Sequence, residues 1–383
     1  MVSRRNVILG VGGTLALVGA GAAWRVMRVP QKAYLPWAQA GRTEHDPRLD
    51  VFRHAILAPN PHNMQPWQIR LIGTDQAEIS CDLARRLPQT DPFDRQIVIG
   101  FGCFVELAVI AASRHGMKID VETFPEGAGE ERLDDRPVAR LRFVAVPGLE
   151  ADPLAGFIRD RRSAKVPFDL KRPVPSETLA ALQAAGSDLV RFDCTRTESE
   201  VQALIAMAST AFEREMRTPH TLRESIDVLR VGASEIEANP DGISLRGPLF
   251  EALSILGADK VRADAMDSQS ETTTNQIARY RQIFTQTPSF VWLTGLGNSR
   301  AHQLAAGRSY LRLNLLATKL GLGLHPISQA LQEYPEMTPL FAEARRLCRV
   351  ETGETLQMLA RLGYADPVAP TPRWPLEAKL IRA

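Results

Sequence analysis

The sequence predicts an α+β fold in which two similar units are fused in one chain, an intrachain pseudo-dimer. Three observations predict it. The 383 residues are 44% apolar and 23% charged, enough for two ordinary soluble domains or one large one. Extended runs bounded by glycine and proline are interspersed with long helical patterns. A long helix, a glycine and an extended segment also occur twice, as Arg114-His115-Gly116-Met117-Lys118-Ile119 and as Lys319-Leu320-Gly321-Leu322-Gly323-Leu324. This is a weak repeat at the level of architecture.

Taken in order, the first 24 residues read as an address. Ser3-Arg4-Arg5-Asn6-Val7-Ile8-Leu9 precedes a Gly/Ala/Val/Leu run ending near Ala23, a pattern that resembles a twin-arginine export signal. The run is roughly 17 or 18 residues, at the short end of what a bilayer needs. Ala20-Gly21-Ala22 is a candidate cleavage site. The expectation is an exported protein, periplasmic or tethered to the outer face of the cytoplasmic membrane if the segment is not cut. Residues 25–45 read as a linker.

Helical spacing predicts a helix over 47–58, with Asp46 as its N-cap and Pro47 at its first position. Extended segments follow at 66–72 and 77–83, then a long helix over 94–115 ended by Gly116, then strands at 117–124 and 138–146. Residues 125–136 read as a surface loop, and Pro147-Gly148 breaks the chain. These make a first unit over 46–150. The second, over 151–383, restarts with a helix at 152–162 and another opening at Ser176. A strand at 188–194 and a helix over 196–217 follow. Pro219, Pro240-Asp241-Gly242 and Gly247-Pro248 punctuate residues 218–270, which read as an insertion able to form a lid. A helix over 272–286, a strand over 289–294, a helix over 299–320, the glycine-rich segment 321–327, a last helix and a strand over 357–364 complete the unit.

Composition excludes several classes. With 46 basic and 44 acidic residues the formal net charge is +2, which gives no electrostatic case for nucleic acid. Cys81, Cys103, Cys194 and Cys348 are widely spaced and read as small buried hydrophobes. The seven histidines show no ligand spacing, so no metal site is expected. Gly100-Phe101-Gly102-Cys103-Phe104-Val105 mimics a dinucleotide-binding loop, but its sixth position is Val105 and no suitable acidic residue follows.

Chemistry concentrates elsewhere. Pro59-Asn60-Pro61-His62-Asn63-Met64-Gln65-Pro66-Trp67 puts three prolines among amide and imidazole side chains. Proline fixes its own φ and restricts the residue before it, so the loop is stiff. Uncharged amides that both donate and accept suit the edge of a planar heterocycle such as an isoalloxazine. Arg161-Arg162-Ser163-Ala164-Lys165, read as the end of a short helix, offers three cations and a hydroxyl to a phosphate. Arg373 lies between prolines and could clamp an anion. In Gly321 to Ile327, glycines let a backbone approach a flat ligand, and Gly323, Leu324 and His325 are candidates for contacts there. Each stretch also has a structural reading: a capped turn, a solvated basic turn, an exposed tail arginine, a buried histidine.

Together these elements resemble the nitroreductase superfamily of FMN-dependent oxidoreductases. Residues 60–67 are similar to its Ser-x-x-Asn-x-Gln-Pro-Trp flavin loop, residues 161–165 to its Arg-Arg-Ser-x-Arg phosphate helix, and residues 320–327 to its Leu-Gly-x-Gly loop. Leu362-Gly363-Tyr364 followed by Arg373 is similar to its C-terminal Gly-Tyr and basic residue. The resemblance spans about residues 46 to 380 and is nearest to the fused, Acg-like branch. Asn60 stands where the family has Ser, and Lys165 where it has Arg.

The resemblance implies one FMN per chain, with Asn63, Gln65 and Trp67 near the ring, Gly323, Leu324 and His325 facing it, and Arg161, Arg162, Ser163, Lys165 and Arg373 at the phosphate. A symmetric second site would lack the basic run, since Arg48-Leu49-Asp50-Val51 stands there. It further implies ping-pong transfer of two electrons to nitroaromatic or quinone-like acceptors, with no side chain needed as acid or base. The donor is NAD(P)H by analogy, or a membrane or periplasmic carrier if the protein is exported. The alternative is a flavin-binding or storage protein whose ring is covered by residues 218–270. A fused pair leaves a monomer complete.

Overall fold

The computed structural model describes residues 27–381 apart from residues 43 and 188. The export-signal expectation lies outside the described residues.

In chain order the first half contains helix α1 (Leu35–Gln39), α2 (Pro47–Ala55), strands β1 (Trp67–Ile72) and β2 (Gln76–Cys81), the long helix α3 (Arg95–Ser113), and strands β3 (Met117–Thr123) and β4 (Ala139–Ala145). Asp46 caps α2 by accepting from the Arg48 amide at 2.9 Å, with Pro47 at the first position. Gly116 turns the chain out of α3 at φ 65°, a conformation that glycine adopts without strain. The strands form an antiparallel sheet in the order β1-β2-β4-β3. Trp67, Ile69, Ala77, Ile79, Leu141 and Phe143 alternate onto its buried face, where Phe52 of α2 and Phe104 of α3 pack.

The second half contains α4 (Ser176–Gln183), β5 (Val190–Thr195), α5 (Glu198–Arg217), α6 (Pro219–Asp227), β6 (Leu229–Val231), α7 (Gly232–Ala238), β7 (Ile243–Leu245), α8 (Pro248–Ala265), α9 (Glu271–Thr285), β8 (Ser289–Gly295), α10 (Arg300–Lys319), β9 (Gly323–Pro326), α11 (Thr338–Leu347) and β10 (Thr355–Gly363). Its main sheet runs β5-β8-β10-β9, again antiparallel throughout. Strand–strand–helix–strand–strand, with the last strand second from the edge, is thus laid down twice. Elements α6 to α8 with the β6–β7 pair occupy the stretch expected to be an insertion.

The two halves meet where α3 crosses α10. A Cβ on Gly102 would strike the Leu304 carbonyl and Gly307 Cα, and a Cβ on Gly307 would strike the Ile99 carbonyl and Gly102 Cα. The contact is reciprocal, as a local two-fold requires. By length and composition α3 could cross a membrane, yet it lies inside the protein.

The second sheet is covered on both faces. Val291 and Leu293 of β8 join the core shared with the first half, whereas Phe290 and Trp292 join a second core with α5 and α9. A bulge between Leu356 and Met358 resets the alternation of β10.

Two expectations need correction. The helix expected at 152–162 is a single 3-10 turn, Ala155–Phe157. Residues 163–164 are instead drawn to the sheet edge, where Ala164 N donates to Leu324 O at 2.7 Å and Ser163 bridges Leu324. Tertiary pairing and the following Pro167 outweigh local helix propensity. The expected linker is also not a loose tether. It carries α1, and Ala33, Trp37 and Ala40 are buried.

Candidate functional site

The C-terminal tail of the second half returns to the first, and this brings the site together. Ile69 N donates to Lys379 O at 2.8 Å and Ile381 N to Ile69 O at 2.9 Å, so the tail adds to the β1 edge. Residues 371–374 then lie against loop 60–67.

That loop is strained. His62, Asn63 and Gln65 hold φ values of 46°, 55° and 51°. Left-handed backbone at non-glycine positions costs of order 1–3 kcal/mol each and persists only where neighbours enforce it. The enforcing contacts are specific. Gln65 is fully buried, donates to Pro240 O at 2.8 Å and accepts from the Trp374 amide at 2.9 Å. Its carbonyl takes the Lys379 ammonium at 2.6 Å. Asn63 donates to Pro372 O at 3.1 Å and accepts from Arg373 at 2.6 Å. Gly100 of α3 lies against Asn60, leaving little room for a Cβ.

Next to the loop is a cluster of guanidinium groups. The Leu57 carbonyl, just beyond the end of α2, accepts from Arg161 at 3.1 Å and from Arg373 at 3.2 Å. Arg373 also binds Ile56 O and Ala58 O at 3.0 Å each. Cations suit this end of a helix, where carbonyls lack partners. Arg162 and Arg373 lie over the Trp37 ring, 4.6 and 5.5 Å from its centroid.

Among the described residues none of Arg161, Arg162 and Arg373 forms an ion pair with a carboxylate. Burial pushes Arg161 down to about 10. Burial, then repulsion from Arg161 and Arg162, holds Arg373 well below the usual range. Arg161 Nε and Nη1 are buried with no partner at all. Buried charges are normally paired, so this geometry asks for an anion.

A second group of titratable side chains lies at the other end of the 161–165 segment. Burial is the main cause of the shifts at His62, His325 and Glu215, and the charge of Lys165 adds to the first two and opposes the third. His62 Nε2 is 3.1 Å from Ser225 Oγ and 3.9 Å from Glu215 Oε1. Burial, with Lys165, pushes His62 down to about 4. His325 Nδ1 is 2.8 Å from Arg361 and can only accept there, which leaves the proton on Nε2.

The other expected site residues take varied positions. The amides of Asn63 and Gln65 are spent on the protein itself, because a buried amide must be satisfied. They clamp the loop. Trp67 packs on Phe104 in the core, 5.0 Å between ring centroids, with its indole N–H unpartnered. Gly323 does not open a backbone to a ligand: a Cβ there would press on Ala164 and Phe168. Leu324 is buried and contributes its carbonyl to Ala164. Arg162 turns to Val368 O and Trp37. Arg161 and Arg373 meet at the Leu57 carbonyl, while Ser163 is held beside Leu324, the residue before His325.

Sequence reasoning missed Trp37, Lys379 and Glu215. A tryptophan inside an apparent linker was a usable signal. Glu215 had another, since it continues the buried stripe Leu204, Ala208, Ala211, Phe212 of α5 at helical spacing.

No family model matches the chain. Among curated proteins it is 26% identical over 386 residues to "Putative NAD(P)H nitroreductase Rv3131" of Mycobacterium tuberculosis, covering 94% of each chain. It is 24% identical over 350 residues to "Uncharacterized protein Rv3127" of the same organism, covering 86% of this chain and 92% of that one. Among solved structures, the FMN-dependent nitroreductase NfnB of Mycobacterium smegmatis in complex with NADPH is 20% identical, with 59% of this chain and 96% of that chain covered and a TM-score of 0.35. The Bacteroides fragilis nitroreductase with bound FMN is 15% identical, with coverages of 59% and 95% and a TM-score of 0.33. Similarity to the first of these relatives, named a putative nitroreductase, runs along nearly the whole of both sequences.

Proposed function

We propose that the protein is an FMN-dependent oxidoreductase of nitroreductase type, holding one FMN per chain between its two halves. The observation that carries this is Arg161. Its Nε and Nη1 are buried without partners beside Arg162 and Arg373, neither of which forms an ion pair among the described residues. A phosphate monoester fits that donor set, since it accepts from several guanidinium nitrogens at once. Arg161 and Ser163 would take the phosphate, and Arg373, whose nitrogens are engaged by backbone carbonyls, Asn63 and Thr371, would add positive charge beside it. Lys165, beside His62 at the far end of the extended segment, would meet the ring edge, where a cation stabilises developing negative charge.

When bound, the flavin supplies two-electron transfer between a donor and an electron-poor acceptor such as a nitroaromatic or quinone, in ping-pong fashion. The chain's own residues orient it. Asn63 and Gln65 fix the loop, and neutral His62 presents a polar edge without competing charge. The name of the Mycobacterium tuberculosis relative favours NAD(P)H as donor. Export through the amino-terminal segment would instead favour a membrane or periplasmic carrier.

A second reading has a specific observation behind it. The insertion touches the loop directly: Gly242 N donates to Asn63 O at 3.2 Å, and Ser225 meets His62. A cover of this kind suits a flavin-storage protein with little turnover. The visible spectrum of purified protein tests the flavin. Anaerobic reduction by NADH, NADPH and a soluble quinol, followed by mixing with quinone, tests turnover. Absence of flavin absorbance, with no uptake of added FMN, would overturn the proposal. Cell fractionation tests export.

A further inference from the structure

Beyond the arginine cluster, the largest concentration of unpartnered buried polar atoms lies around Glu215. Glu215 Oε2, Gln332 Oε1 and the Tyr334 hydroxyl make no hydrogen bond of good geometry, although Gln329 and Gln332 lie against the Glu215 carboxyl and Thr218 and Thr221 against Tyr334; the exposures of the three residues are 4%, 2% and 2%. Buried polar atoms are otherwise satisfied, so an unsatisfied cluster needs an explanation. Helix α5 carries Glu215 to within 3.9 Å of His62, on the flank of loop 60–67 away from Arg373.

We propose that Glu215 is the proton donor to the acceptor bound over this loop. This rests on the reading that the loop lines a flavin. An acceptor reduced by two electrons takes up two protons. For a quinone, one comes with the hydride from the reduced cofactor. The second comes from Glu215, whose Oε2–H bond breaks as the acceptor oxygen gains its O–H. The products are a hydroquinone and the Glu215 carboxylate, which recovers its proton from water.

The surroundings suit the role. Burial pushes the carboxyl up to about 7, against Gln332, Gln329, Lys165 and Ser225, which favour the ionised form. A general acid is most effective with its pKa near the working pH. The groups facing it are His62 from the loop, Lys165 from the extended segment, Ser225 from α6, and Gln329, Gln332 and Tyr334 from the segment before α11. Glu336 acts on Tyr334 from beyond, and Tyr334 meets the His220 ring edge-on. Oε1 is engaged by Ser225 at 3.5 Å, which leaves Oε2 for the acceptor.

The test uses the full-length holoprotein and its Glu215→Gln and Glu215→Asp variants. Flavin per chain is read by absorbance. Reoxidation of reduced protein by a quinone is followed by stopped flow across the neutral range. Glu215→Gln should keep its flavin, reoxidise about 10²–10⁴-fold more slowly, and lose the fall in rate that wild type shows above about 7. Glu215→Asp should be slower than wild type but keep a pH dependence. Infrared difference spectra supply a readout independent of turnover: a protonated-carboxyl band that titrates near neutrality and vanishes in Glu215→Gln. A flavin-loaded Glu215→Gln protein with the wild-type rate profile, or wild type without that band, overturns the proposal and leaves the flavin reading standing. A wild-type chain that takes up no flavin overturns both.

Discussion

Replacing Arg161 with methionine should make the flavin-free protein more stable and the flavin-loaded protein scarce. The structure gives the sizes. Arg161 is 2% exposed and makes one hydrogen bond, to Leu57 O, while Nε and Nη1 have none. Each buried donor left unsatisfied costs about 1–3 kcal/mol. Methionine follows a similar path without polar hydrogens, and Leu57 O keeps Arg373 as donor. After allowing about 1 kcal/mol for the lost bond, Arg161→Met should gain about 1–5 kcal/mol without flavin. Two charge-assisted bonds to a phosphate are worth about 1.5–3 kcal/mol each, so Kd for FMN should rise by about 10²–10⁴. Urea unfolding of flavin-free protein reads the first effect and quenching of FMN fluorescence the second. A variant that is less stable than wild type without flavin, or that binds FMN within a few-fold of wild type, would refute the reasoning.

Other outcomes follow from the same geometry. Gly102→Ala and Gly307→Ala gain about 1 kcal/mol of helix propensity but each drives a Cβ into the facing backbone. Both should lose about 1–3 kcal/mol net of stability, whereas Gly156→Ala, with open space around it, should be near neutral by the same denaturation assay. Burial pushes Lys379 down from 10.5 to about 7. The folded state therefore holds that proton less tightly than the unfolded chain, and stability rises with pH between those values. Unfolding titrations across that window should show Lys379→Met lacking this part of the rise, and equal slopes for the two proteins would count against the assignment. Flavin titration should saturate at one equivalent per chain and stay there in Arg308→Ala or Arg312→Ala. A second equivalent would show that the other half also holds one.

Much of the fold was legible because local and tertiary preferences agree. Strand β8 is apolar on both faces because both are covered, and α3 and α10 each carry long apolar patterns with glycine where they touch. The 152–162 segment was misread because it forms only short local turns before residues 163–164 pair with a strand remote in sequence, which no local pattern reveals. At the site, residue types were readable but assignments were not. Arg161 and Arg373 were visible as cations, and the loop as stiff. That Asn63 and Gln65 turn inward depends on residues 372–374, some 300 positions away, and on Pro240. Periodicity held the clue to Glu215, an acid in an apolar stripe, and it carried no weight until a partner for that stripe was known.

The duplicated topology allows the two halves to be compared position by position. Gly102 matches Gly307 across the local two-fold, so Gly100 matches Ala305, Cys103 matches Arg308 and Leu107 matches Arg312. In the first half these positions are small or apolar: Gly100 backs Asn60, Cys103 meets the Gly307 carbonyl and Leu107 lies in the core. In the second they line a cavity of about 340 Å³ with Glu106, Ser187 and Ser309. Its cations are already matched: Glu106 binds Arg308 at 2.7 Å and Arg312 at 2.6 Å, and Asp152 binds Arg312 at 2.7 Å. An incoming phosphate would have to displace a buried carboxylate, whereas at Arg161 it would meet nitrogens that nothing else holds. Unmatched charge, more than shape or volume, is what separates the two halves. Selection on a fused chain can act on one copy alone, which a symmetric pair of separate subunits does not allow. The paired cavity then serves as a seam, tying α3 to α10 beside the glycine crossing and so fixing the distance between Arg161 and the loop it serves.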